Sequence, residues 1–260
     1  PIPAFPLYES ITAAAGAVSV FLDLKETNFQ IEKAALEAVI SPKTRAIILN
    51  SPNNPTGCVL SEESLNIVAE LAQEHDFYIL CDNVYAALSS EPVPDLTLDP
   101  ELRSRCILCQ SFSKPWAMTG WRLGWLAAPP QLIDKFTLLQ AAQIASVPTF
   151  LQKAAETALQ VEVQDMAAVY RKRREYVLTR LDQMGLAYPR PEGAFYVFPD
   201  ISRFGLSSEE FCIRLIQDGG LAAVPGSCFG VEGHIRLSYC YSDEDLKEGL
   251  DRIEAFIKTL

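Results

Sequence analysis

Lys114 and Arg122 stand eight residues apart in the stretch "QSFSKPWAMTGWRLGW", Gln110 to Trp125, among serines, glycines and tryptophans. A guanidinium grips anions with two parallel donors, and a lysine amine can act as a nucleophile or move a proton. Together with Ser111 and Ser113 they suit a bound anion with amine chemistry beside it. Two further clusters lie upstream. "RAIILN" (Arg45–Asn50) runs into "SPNNPTG", which carries Asn54, and "FYILCD" ends in Asp82, with Tyr85 three residues on. Taken singly, Asp82 reads as the N-cap of a helix over "NVYAAL" and Tyr85 as a core aromatic. Asn54 would be a turn residue and Lys114 a surface lysine. All four bland readings would have to converge by accident.

These residues need a frame. "AVSVFLDL" (Ala17–Leu24), "RAIILN", "FYILCD", "CILCQSF" (Cys106–Phe112) and "RLGWLAA" (Arg122–Ala128) are short apolar runs with strand character. Several are apolar on both faces, which suits a sheet covered on both sides. Ser61, followed by Glu62 and Glu63, caps a helix between two of them. Strand–helix–strand alternation predicts an α/β fold, a three-layer large domain on a mostly parallel sheet. In such sheets ligands gather at the carboxyl ends of strands. Those ends would carry an amide, a carboxylate with a phenol, and an amine with hydroxyls.

The texture changes after Val147-Pro148. A long helical stretch reaches about Met184 and contains "RKRREY" (Arg171–Tyr176), read as the solvated face of a helix. "GAFYVF", "AAVPG" and "HIRLSYC" read as strands, and "SSEE" (Ser207–Glu210) as a capping box. At the end, Leu246, Leu250, Ile253, Ile257 and Leu260 share one helical face. The expectation is a large domain over residues 1–150 and a smaller α+β domain over 151–260.

Composition narrows the function classes. A net charge of −11 argues against a nucleic-acid or anionic-membrane surface. No apolar run approaches the roughly 20 residues that span a bilayer. The seven cysteines are odd in number and have no framework spacing, so buried free thiols in a reducing compartment, the cytoplasm, are expected. Cys106 and Cys109 form a CxxC in a strand, where residues three apart face opposite ways, which disfavours a metal.

"SPNNPTG", "CDNVY", "SFSKPWAMTGWRLGW", "VPGSCFG" and "HIRLSY", in that order, resemble the signature set of the class I/II aminotransferases of fold type I, which use pyridoxal 5′-phosphate. The resemblance covers the whole chain. It implies that Lys114 binds the cofactor aldehyde as a Schiff base and then carries a proton as base and acid. Asp82 would partner the pyridine nitrogen and keep the ring protonated. Asn54 and Tyr85 would donate to the ring's phenolate oxygen. Ser111, Ser113 and Arg122 would cup the phosphate, with Gly120 and Gly124 allowing close backbone approach. Trp116, Trp121 and Trp125 would pack rather than touch the cofactor. Arg236 would clamp the substrate carboxylate, the competing reading being a structural ion pair. Phe229 or Tyr196 would line the cleft or pack in the core. Amino acid and 2-oxo acid substrates and a homodimer with shared active sites are likewise implied.

Family members carry an N-terminal portion that supplies a Gly-rich phosphate turn, a ring that stacks on the pyridine, and side-chain-reading residues. None can be placed in these 260 residues, so a truncated protein that holds the cofactor weakly is expected. Two alternatives share the scaffold or its look. One is another reaction, C–S β-elimination or cyclopropane-amino-acid synthesis; the other is the cofactor-sensing domain of a transcriptional regulator.

Overall fold

Four of the five apolar runs of the first half form one sheet. The computed structural model describes residues 1–89 and 91–260. In chain order its elements are α1 (Leu7–Ala14), α2 (Lys33–Val39), β1 (Ala46–Asn50), α3 (Glu62–Glu74), β2 (Tyr78–Asp82), β3 (Cys106–Ser111) and β4 (Gly124–Ala127). There follow α4 (Pro130–Ile144), α5 (Thr149–Ala158), α6 (Gln164–Gln183), β5 (Tyr196–Val197), α7 (Ser208–Gly219), β6 (Val224–Pro225), β7 (Ile235–Ser238) and α8 (Asp243–Ile257).

Compactness divides the chain into two units built from interleaved segments. One holds Pro1–Gln30, Asn53–Val59 and Ala168–Leu260; the other holds Ile31–Pro52 and Leu60–Ala167. The second contains the sheet β1-β2-β3-β4, parallel except for the antiparallel β3–β4 pair. Register aligns the carboxyl ends: Asn50 pairs with Asp82, and Asp82 with Cys109. The Asn50 amide donates to the Asp82 carbonyl at 3.0 Å, tying the two ends together. Beside the sheet, the Ser61 hydroxyl accepts the Ser64 N–H at 3.1 Å and starts α3, whose Leu65, Val68, Leu71 and Ala72 are buried. An apolar stripe of this kind drives most of a helix's stability in a folded protein.

The first unit carries the antiparallel sheet β5-β7-β6, with α7 and α8. Ser207 caps α7 as expected, accepting the Glu210 N–H. In α8 the buried face is Leu246, Leu250, Ile253 and Phe256. The helix ends at Ile257, and Phe256 meets the Phe211 ring at 5.3 Å. Leu260 therefore lies exposed beyond the helix instead of completing the face.

Other expectations are corrected. Ala17–Leu24 is not a sheet strand. Among the described residues its one β-bridge is to Ile2, whose N–H goes to the Leu22 carbonyl and whose carbonyl accepts from Leu24, and one bridge makes no ladder. The predicted long helix breaks between α5 and α6. Val161 and Val163 are β-branched there, and the Val161 carbonyl is taken by Trp116 Nε1 at 3.3 Å. "RKRREY" is more than a solvated face: Arg173 pairs with Asp243 at 2.9 Å, and Arg174 pairs with Glu175 and donates to the Glu192 carbonyl.

Candidate active site

In the unit with the four-stranded sheet, the candidate residues follow the strand ends. Asp82 closes β2, and its Oδ1 accepts the Val84 N–H at 3.3 Å. No α-helix follows; "NVYAAL" forms only a 3₁₀ turn at Ala86–Leu88, so Asp82 turns the chain and does not cap a helix. Tyr85 is buried, and Lys114 Nζ stands 6.0 Å from its ring centre. Ser111 ends β3, and its hydroxyl accepts the Ser113 N–H at 3.0 Å. Because β3 and β4 are antiparallel, Ser111, Ser113 and Lys114 leave the pair at the end where Arg122 enters it. Arg122 is exposed, takes a left-handed φ of 52° and donates Nη1 to the Thr119 carbonyl at 3.0 Å.

The two glycines flanking Arg122 differ. A Cβ on Gly124 would sit 2.7 Å from the Gln110 carbonyl oxygen, so the strand pairing demands glycine there. Gly120 faces open space. The tryptophans divide as well. Trp116 packs on Phe112 at 5.0 Å, whereas Trp121 and Trp125 are exposed.

In the other unit Asn54 and Arg236 meet. Arg236 Nη1 donates to Asn54 Oδ1 at 2.9 Å, across 182 residues of sequence. The guanidinium carbon lies 4.6 Å from the Tyr196 ring centre and 5.0 Å from that of Phe229. Arg236 Nε is buried and has no hydrogen-bond partner among the described residues. No carboxylate among the described residues is within ion-pair distance of Arg236, which removes the structural ion pair. Tyr196 and Phe229 thus stack on an arginine, a contact that the sequence did not disclose. Gly57, three residues after Asn54, turns the chain at φ 73° where a Cβ would meet Pro191 at 2.5 Å.

All seven cysteines are free thiols. Five avoid full exposure, but Cys228 and Cys240 are exposed, contrary to the all-buried expectation. Cys106 neighbours Cys81, not Cys109. Their S–H bond pushes the Cys81 thiol up and Cys106 down, while burial pushes Cys109 up to about 11. No group of metal-binding side chains occurs among the described residues.

The donor set fits pyridoxal phosphate. An amine, a carboxylate and a phenol suit its aldehyde, ring nitrogen and phenolate. Two hydroxyls and a guanidinium suit its phosphate.

The class I and II aminotransferase family model matches residues 1–253. The chain is 41% identical to aromatic-amino-acid aminotransferase 2 of Thermococcus litoralis, a match covering 99% of this chain and 69% of that one. It is 39% identical to the aspartate aminotransferase of Pyrococcus abyssi, with the same coverage of 99% and 69%. The crystal structure of an aromatic aminotransferase from Pyrococcus horikoshii superposes with a TM-score of 0.96 at 37% identity, over 100% of this chain and 72% of that one. With that sheet, those strand-end donors and these relatives, the chain belongs to the class I and II aminotransferases and is a pyridoxal-phosphate-dependent amino-acid aminotransferase of fold type I.

Proposed function

We propose that Lys114 is the covalent and proton-carrying residue of amino transfer and Arg236 the clamp for the substrate carboxylate. The observation that carries the second role is the Arg236 guanidinium, whose buried Nε has no hydrogen-bond partner among the described residues. A buried donor left unpaired costs about 1–3 kcal/mol, so its persistence points to an anionic ligand. Pyridoxal phosphate, when bound, supplies an aldehyde for the amino group and a ring that draws electrons from the Cα–H bond. Asp82 holds a proton at the ring nitrogen. Tyr85 and Asn54 donate to the ring oxygen. Ser111, Ser113 and Arg122 hold the phosphate by charge-assisted bonds. Lys114 would hold the aldehyde end of the cofactor, and its free amine would remove and return the proton at Cα.

The relatives are named for aromatic amino acids and for aspartate, so phenylalanine, tyrosine and aspartate are the donors to assay first. A homodimer accords with the apolar side chains left exposed on α4 and β4, among them Leu138, Leu139, Trp125 and Leu126. The free thiols fit a reducing compartment, the cytoplasm. No helix among the described residues is long and apolar enough to cross a membrane.

Adding pyridoxal phosphate and recording the visible band of lysine-bound cofactor tests the first role. Lys114→Ala removes the band and lowers amino transfer at least about 10²-fold; a band that survives the substitution overturns the assignment. Oxo-acid product that forms only when a 2-oxo acid acceptor is present marks transfer. Product without acceptor marks elimination.

A further inference from the structure

Arg236 lies over two aromatic rings. Tyr196 and Phe229, both buried, lie at 4.6 and 5.0 Å from its guanidinium carbon. The sheet explains why. Tyr196 on β5 pairs with Ser238 on β7, two residues from Arg236 and on the same face. Phe229 closes the 3₁₀ turn that follows β6, where Val224 pairs with Arg236. Each ring is itself held: Tyr196 against Phe195 at 4.7 Å, Phe229 edge-on to Phe198 at 6.0 Å.

A planar guanidinium donates its hydrogen bonds in its own plane. Nη1 is spent on Asn54. Nε, on the opposite side, is buried and has no hydrogen-bond partner among the described residues. The remaining Nε–Nη2 edge is a side-on fork that matches the two oxygens of a carboxylate. We infer that Tyr196 and Phe229 are positioning residues for the amino-transfer reaction, fixing the Arg236 plane so that this edge is presented before the substrate carboxylate arrives. The inference rests on the reading of Arg236 as carboxylate clamp. An unheld arginine carries about 2 kcal/mol of rotamer entropy. Two rings remove most of that cost from the binding step, attract the cation through their π faces and exclude water from around it.

Propionate is the probe, titrated into the 260-residue protein and followed through the Arg236 Nε–H NMR resonance, with no cofactor needed. Before addition, the Arg236 signals lie upfield of those of the exposed Arg171, because the currents of two nearby rings act on them. Signals that coincide with those of Arg171 would overturn the inference on the wild-type protein alone. Tyr196→Leu and Phe229→Leu each weaken propionate binding on the order of tenfold, and Tyr196→Phe and Phe229→Tyr restore it. In turnover the leucine variants raise KM for the amino acid more than they lower kcat. Arg236→Gln has no such Nε–H resonance, so for it, and for every variant compared with it, propionate binding is read from the line width of the propionate protons. If propionate binds as before, the clamp reading itself fails. If binding is lost in Arg236→Gln while folded leucine variants bind like wild type, the clamp stands and the positioning role falls. Where a leucine variant does not fold, the wild-type ring-current shift and the conservative variants decide.

Discussion

Gly57 shows how much one residue near the site carries. It sits in "PTG" after Asn54, and sequence alone offers turn chemistry as its reason. The fold adds a second: its left-handed φ, and a Cβ position 2.5 Å from Pro191 Cβ and 2.7 Å from the Tyr196 carbonyl oxygen. Both neighbours are fixed, one a ring carbon and the other strand backbone. Gly57→Ala should destabilise the protein by more than about 2 kcal/mol, measured by urea unfolding. An alanine variant of wild-type stability would show that this loop yields easily. Asn54 is a candidate cofactor donor through its motif alone. Its bond to Arg236 is not legible there, because nothing in the sequence reports a pairing 182 residues apart.

At the scale of elements, local signals and long-range ones part company. Ser61 was readable as the cap of α3, since a cap bond spans three residues and needs no tertiary partner. Ser61→Ala should cost about 1 kcal/mol of stability in denaturant titration. A loss near zero would mean that another acceptor takes the Ser64 N–H. The strands β1 to β4 were readable because buried apolar runs ended by turn residues have few other uses. Ala17–Leu24 has the same composition and is not a sheet strand, because a strand is defined by its neighbour. The helix break near Val161 was missed for a similar reason: the partner of its carbonyl, Trp116, is 45 residues away.

At the scale of the whole molecule, burial sets the pH response. His234 is buried, stacked on Phe198 at 4.9 Å, with Nδ1 3.3 Å from the Glu232 carbonyl oxygen. Asp200 and Lys25 are the charges that face it. Burial holds its imidazole below the ordinary value of 6.5. The folded protein therefore keeps His234 neutral where the unfolded chain would protonate it. Stability is fully present above that unfolded value and falls as pH drops below it. The urea midpoint should be lower at about pH 5.5 than at about pH 7.5, and His234→Phe should flatten the difference. An unchanged slope in the variant would assign the effect to other groups. Assembly belongs to the same scale. Sedimentation should show a dimer, and Leu138→Glu with Leu139→Glu on exposed α4 should shift it to monomer. A wild-type monomer would count against the dimer and leave those side chains unexplained.

The sequence by itself determined the fold class, the family and the identity of every candidate donor, because strand patterning, caps and ordered motifs are local properties that a chain carries wherever it folds. Tertiary structure decided which donors are neighbours. It set Ser111, Ser113, Lys114 and Arg122 at one end of an antiparallel pair, and it bonded Asn54 to Arg236. It also placed two buried rings 4.6 and 5.0 Å from that arginine's guanidinium carbon, with Nε lacking a hydrogen-bond partner among the described residues. The reason is physical: direction and spacing in three dimensions come from strand register and packing, and these depend on residues far apart in the chain.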